Sequence, residues 1–238
     1  MLEPAALRAR LTDIRERIAR AAGRTGRDPS LVTLVAVSKT FDADYVRAAA
    51  DAGQVDFGEN KVQEALDKMD RLADLPLRWH LIGHLQSNKS RKAGARFDVV
   101  HSVDGVEIGQ RLDAAAAASA RQLKLLVQVD LAGELTKYGV REERLGSIFD
   151  EAGRWHAARL VGLMLLPPAD EDPEAARPYF RAFKQLRQRL LDGGLPASML
   201  TELSMGMSHD FEVAIEEGAT LVRVGTAIFG KRPGTGPV

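Results

Sequence analysis

The sequence predicts a single-domain (β/α)8 barrel, the TIM-barrel architecture. Three observations carry this. Eight short apolar segments recur along the chain without polar alternation, as strands covered on both faces should. Segments of helical length separate them, so the order reads strand then helix throughout. The polar residues that interrupt the apolar runs fall at the C-terminal ends of the strand segments, where a barrel gathers its site. Eight such units in about 200 residues sit near the lower end of the barrel size range, and an open doubly wound sheet is the structural rival.

Each element has its own signal. In residues 2–22, Leu7, Leu11, Ile14 and Ile18 stand at helical spacing among Arg, Asp, Glu and Ala, which predicts an amphipathic helix. Gly23, Gly26 and Asp28-Pro29 end it. Strands are predicted over 32–37, 55–57, 79–82, 99–102, 124–129, 160–165, 202–205 and 221–224. Helices are predicted between them over 42–51, 61–72, 87–93, 105–120, 142–152, 173–192 and 210–217. No composition shift marks a second domain. Residues 1–230 therefore read as one domain fronted by the helix 2–22, and the Gly- and Pro-rich stretch 231–238 as a flexible tail.

Composition narrows the classes of function. Apolar residues make up 45% of the 238, enough for a sizeable core. Lys plus Arg equals Asp plus Glu at 33 each, which argues against bulk electrostatic binding to nucleic acid or to an anionic membrane. No apolar run approaches the roughly 18 residues of a membrane span, and the N-terminus lacks the apolar stretch of a secretory signal. The absence of cysteine excludes disulfides, thiol nucleophiles and thiolate-held metals. The expectation is a cytoplasmic protein with no nucleic-acid and no membrane partner.

The chemistry centres on Lys39. The run Leu34-Val35-Ala36-Val37-Ser38 ends in a lysine beside a low-dielectric core. Burial favours the neutral amine, which can attack an aldehyde to form a Schiff base. Two later segments suggest what carries the aldehyde. In Ser204-Met205-Gly206-Met207-Ser208-His209-Asp210 a strand gives way to Gly and Ser before a helix, so Ser208 suits either a phosphate contact or a helix N-cap. In Arg223-Val224-Gly225-Thr226, Gly225 allows close backbone approach and Thr226 offers a hydroxyl. Loops after the seventh and eighth strands recur as phosphate sites in barrels. Arg223 lies inside an apolar strand and needs an acceptor, either a neighbouring carboxylate or a ligand atom.

Other candidates are weaker. Asn60, after Phe57-Gly58-Glu59, reads as an N-cap or a residue of the mouth. His80 and His84 stand four apart in strand and turn rather than helix, and no metal site is expected. Lys137 reads as a solvated loop lysine that can also face the mouth. A reactive lysine, a two-loop phosphate cradle and a buried arginine together suggest pyridoxal 5′-phosphate (PLP). Its aldehyde would join Lys39, its phosphate would sit on Ser208, Gly225 and Thr226, and its ring nitrogen would face Arg223.

The segments AVSKT (36–40), FGENKVQEA (57–65), WHLIGHLQSNKSRK (79–92), HSVD (101–104), TKYGV (136–140), GLMLLPP (162–168) and LSMGMSHDFEVAIEEGATLVRVGTAIFG (203–230) resemble the pyridoxal phosphate homeostasis proteins, the YggS/PROSC family. They span nearly the whole chain in order. The resemblance implies a barrel similar to the N-terminal domain of alanine racemase. It implies PLP on the lysine matching Lys39, phosphate contacts at Ser208, Gly225 and Thr226, the ring nitrogen at Arg223, and a pocket residue at Asn60. It also implies a protein that holds or delivers the cofactor in vitamin B6 and amino-acid balance without a catalytic reaction of its own, and so without catalytic residues.

Physical chemistry makes such a role reasonable. The partner of the ring nitrogen tunes PLP as an electron sink, and a permanently cationic arginine disfavours protonation there. The racemase relatives add a tyrosine base from a second domain. Of Tyr45, Tyr138 and Tyr179 here, only Tyr138 lies in a loop able to reach the mouth. The expected partners are PLP and, as candidate recipients, apo PLP-dependent enzymes, with the chain a monomer. A PLP-dependent amino-acid racemase is the second reading and a cofactor-free class I aldolase using Lys39 the third.

Overall fold

The computed structural model describes residues 3–131, 133 and 138–230. The expected tail 231–238 and Lys137 lie outside the described residues. Eight parallel strands close into one barrel in sequence order. They are β1 (Thr33–Val37), β2 (Asp56–Glu59), β3 (Arg78–Leu81), β4 (Val99–Val103), β5 (Leu123–Val129), β6 (Ala158–Leu165), β7 (Glu202–Met207) and β8 (Leu221–Val224). The closing pair is β1 with β8, in register Thr33↔Leu221 to Ala36↔Val224. The doubly wound alternative is thereby excluded, because an open sheet has two unpaired edges and this one has none.

Helices cover the outside: α1 (Pro4–Arg24), α2 (Ala43–Asp51), α3 (Val62–Arg71), α4 (Ser90–Arg96), α5 (Val106–Ala118), α6 (Leu145–Ala152), α7 (Arg177–Asp192), α8 (Phe211–Glu216) and α9 (Thr226–Phe229). The first turns expected for α4, α6 and α7 are tighter 3-10 turns, Ser87–Lys89, Glu142–Arg144 and Pro173–Ala176. α1 buries the predicted stripe Leu7, Leu11, Ile14 and Ile18. Each such side chain contributes roughly 1.5–3 kcal/mol when fully buried. Arg17 pairs with Glu212 and stacks on Phe211, and Arg24 pairs with Glu216, so α1 is fastened along α8. Among the described residues no helix is long and apolar enough to cross a membrane.

Alternation along the strands sorts two apolar sets. Leu34, Ala36, Phe57, Leu81 and Val222 join the large cluster between strands and helices. Val35, Val99, Leu126, Met164 and Leu221 form a small separate cluster inside the barrel. The inner side is otherwise polar, with Asp56, His80, His101, Ser204 and Arg223 all buried. Buried polar atoms of such a set need hydrogen-bond partners.

Candidate functional site

Because every strand runs the same way, the residues that follow the strands meet at one end. Asn60 directly follows β2, Ser208 follows β7, and Gly225 and Thr226 follow β8. Lys39 stands two residues beyond β1 and is half-buried. These belong to four neighbouring strands of the ring, β7, β8, β1 and β2. The predicted residues Lys39, Asn60, Ser208, Gly225 and Thr226 are therefore brought to a single mouth, with Arg223 beneath it inside β8.

The two predicted phosphate segments touch. Ser208 Oγ accepts from the Gly225 N–H at 3.0 Å and from the Ala227 N–H at 3.5 Å. This corrects the capping alternative for Ser208. The N-cap of α8 is Asp210, whose carboxylate accepts from the Met207 N–H instead. Ser208 serves the first turn of α9, a helix of four residues too short to reveal itself by periodicity. The β7–β8 pairing shifts register between Ser204 and Met207, around Gly206 at φ +90°. A bulge of this kind re-aims the strand end toward the mouth. Gly225 packs on β1: a Cβ there would lie 3.2 Å from both Val37 Cβ and the Val37 carbonyl oxygen.

Arg223 is buried inside the barrel. Its acceptors are Ser204 Oγ at 2.5 Å and the Leu165 carbonyl at 2.9 Å. Among the described residues no carboxylate hydrogen-bonds it. Burial pulls its guanidinium down to about 10, with the charge of Asp210 opposing. Burial pushes Asp210 up, against the Met207 N–H and the charge of Arg223.

Asn60 is not an N-cap: α3 begins after Lys61, with no side-chain cap. Asn60 stays at the mouth, where Gly83 permits the β3 end to pass against its backbone. Glu59, the last residue of β2, faces away from the mouth. It is fully buried behind the strand ends, where Oε1 accepts from Ser38 Oγ and from Lys68 Nζ, both at 2.6 Å. Lys68 also donates to the Ser38 carbonyl at 2.8 Å and to Glu64 at 2.9 Å, and Glu64 accepts from the Thr40 N–H. Both neighbours of Lys39 are thus held by one buried ionic cluster. Thr40 sits at φ +70°, a strained conformation for a β-branched residue, of the kind held in place by such surroundings. The sequence offered no signal for this cluster beyond the i,i+4 spacing of Glu64 and Lys68.

The two histidines of β3 and its following turn part company. His84 stacks on Tyr138, ring centroids 3.6 Å apart, and lies 3.4 Å from Asp104. His80 lies inside the barrel, against His101 and Asp56. Among the described residues no group of three or more His, Asp or Glu is arranged to hold a metal.

Residues 9–233 match the family model described as alanine racemase, N-terminal domain. A Pseudomonas aeruginosa relative, a pyridoxal phosphate homeostasis protein, is 48% identical over 223 residues, covering 93% of this chain and 94% of its own. The chain belongs to the family of pyridoxal phosphate homeostasis proteins. The Aquifex aeolicus protein of the same name is 42% identical over 226 residues, covering 94% and 97% of the two chains. Among solved structures, PipY of Synechococcus elongatus PCC7942 with PLP bound superposes with a TM-score of 0.79. It is 42% identical and covers 91% of this chain and all of its own.

Proposed function

We propose that this chain binds PLP and serves intracellular PLP and amino-acid balance by holding the cofactor, without a reaction of its own. The observation that carries the reading is the donor set at the mouth. Two backbone N–H groups of the β8–α9 turn already converge on a single oxygen, that of Ser208. A phosphate oxygen suits the same donors. Arg223 donates to a hydroxyl and a carbonyl rather than to a carboxylate, which suits an arginine that also meets a neutral ring nitrogen. Family membership and the PLP-bound relative support the same ligand.

In this reading Ser208, Gly225 and Thr226 hold the phosphate. Arg223 faces the ring nitrogen, Asn60 lines the pocket and Lys39 holds the aldehyde carbon through Nζ. When bound, PLP supplies a reactive aldehyde and a ring that withdraws electrons. Arg223, being cationic, keeps a proton off the ring nitrogen and so weakens that withdrawal. The Lys68 cluster keeps the end of β1 in one pose, which orients Lys39. These residues bind and orient.

The purified protein mixed with PLP should develop a visible band that borohydride abolishes. A protein that stays colourless refutes the binding. Incubation of the loaded protein with single L-amino acids in deuterated water separates holding from catalysis. The expected result is no sustained α-proton exchange, and multiple turnovers would establish a racemase-like enzyme instead.

A further inference from the structure

A line of polar side chains, buried except for Arg78 at its outer end, crosses the barrel beneath the mouth. Arg78, the first residue of β3, binds Asp56 through Nε at 2.8 Å and Nη2 at 2.6 Å. Asp56 Oδ1 lies 2.9 Å from His80 Nε2, and His80 Nδ1 lies 2.9 Å from His101 Nε2. His101 Nδ1 lies 2.9 Å from Ser204 Oγ, which accepts from Arg223 Nη1 at 2.5 Å. His80, His101, Ser204 and Arg223 are each at most 3% exposed.

Donor and acceptor counting gives the line a direction. Arg223 can only donate, so Ser204 Oγ accepts and its own hydrogen is free for His101 Nδ1. His101 then carries its proton on Nε2 and donates to His80 Nδ1. His80 in turn donates from Nε2 to Asp56, which only accepts. Every link uses one donor and one acceptor. The opposite arrangement needs a doubly protonated His80 and a proton on His101 Nδ1. Ser204 would then receive two donors, and its own hydrogen would have no acceptor among the described residues. Burial first, and also the charge of Arg223, hold His101 well below the ordinary histidine value, in keeping with a neutral ring.

We propose that Asp56, His80, His101 and Ser204 form a one-way hydrogen-bond wire, anchored at its far end by the Asp56–Arg78 pair, that positions Arg223. Aligned hydrogen bonds in a low-dielectric interior polarise one another, so a change at the far end is felt through them. A carboxylate bound directly to Arg223 would occupy the guanidinium. A serine hydroxyl orients it and leaves further N–H groups for a ligand. The four are positioning residues, acting on the site only through Arg223. Their effect on bound PLP rests on the function proposed above, whereas the wire itself does not.

Long-range proton–nitrogen NMR of the uniformly ¹⁵N-labelled, cofactor-free protein reads the wire directly. Assigned through their backbones, His80 and His101 should both show protonated Nε2 and bare Nδ1 at neutral pH. A proton on His101 Nδ1, or a doubly protonated His80, overturns the proposal even if PLP binds. If PLP fails to bind, this measurement still decides the wire. On the loaded protein, Ser204→Ala should weaken PLP binding by about tenfold, the loss of one charge-assisted hydrogen bond, and shift the visible absorption maximum. Ser204→Thr, which keeps the hydroxyl, should restore both. Asp56→Asn, at the far end, should shift the band in the same sense. Variants that lower the melting temperature but leave band and affinity unchanged would reduce these residues to structural ones and refute the positioning role.

Discussion

Replacing Lys68 with methionine tests how the end of β1 is held. The Lys68 side chain is 7% exposed and that of Glu59 is 0% exposed. Glu59 already has one oxygen, Oε2, without a hydrogen-bond partner among the described residues. Burial pushes Glu59 up, against the charge and hydrogen bond of Lys68 and the hydroxyl of Ser38. Without the ammonium, the buried carboxylate escapes by taking a proton. From an ordinary value of 4.5, that costs at most about 3.4 kcal/mol at pH 7, at roughly 1.4 kcal/mol per pH unit, since the parent Glu59 is itself raised. The figure matches the 3–5 kcal/mol or so typical of breaking a buried pair. The folded variant binds a proton that the unfolded chain has released, so its deficit grows as pH rises above the unfolded value. Urea unfolding should show Lys68→Met less stable than the parent by up to about 3 kcal/mol at pH 7 and up to about 1 kcal/mol at pH 5. Lys68→Met/Glu59→Met, which removes both charges, should recover most of the loss. A deficit below about 1 kcal/mol at pH 7, or one that does not change between pH 5 and 7, would show that Lys68 does not hold Glu59 ionised in this way.

Three further outcomes follow from the geometry. Burial pushes the Asp56 carboxyl up, but the bonds from His80 and Arg78 outweigh it and hold the group below its ordinary 3.8. Its stabilisation is therefore present above that value and lost as pH falls through the lower folded one. The stability gap between parent and Asp56→Asn in urea titrations should be steady at pH 6 and close below about pH 4. Gly206→Ala places a Cβ 2.6 Å from Ala214 Cβ at φ +90°, and thermal unfolding should register a loss of about 2–3 kcal/mol. Ser208→Ala removes the oxygen that joins the two mouth segments. Its PLP dissociation constant, measured by absorbance titration, should rise about tenfold.

Much of this molecule was legible in the sequence, for physical reasons that differ by element. The β8 bounds agree residue for residue, because a fully buried strand is apolar throughout and Gly218 and Gly225 bracket it. β6 starts two residues earlier than its apolar run, since Ala158 and Arg159 are drawn in by pairing with Leu123 and Lys124. The mouth residues could be grouped because parallel strands put all their C-terminal ends on one side. Glu59, although it ends a strand, is not one of them, because alternation beyond Gly58 turns it toward Lys68 of α3. The interior wire went unread although its signal resembles that of Arg223: His80 and His101 are polar residues at inward positions of apolar strands. Their contact depends on β3 and β4 lying side by side, and Ser204 reaches His101 only once the barrel closes.

In the proposed function Lys39 is the single point of covalent attachment. Borohydride reduction of the PLP-mixed protein, followed by peptide mass mapping, tests this directly. One phosphopyridoxyl adduct is expected, on Lys39, together with loss of the visible band in Lys39→Ala. Stoichiometric labelling of another lysine, such as Lys61 or Lys89, or an undiminished band in Lys39→Ala, would contradict it.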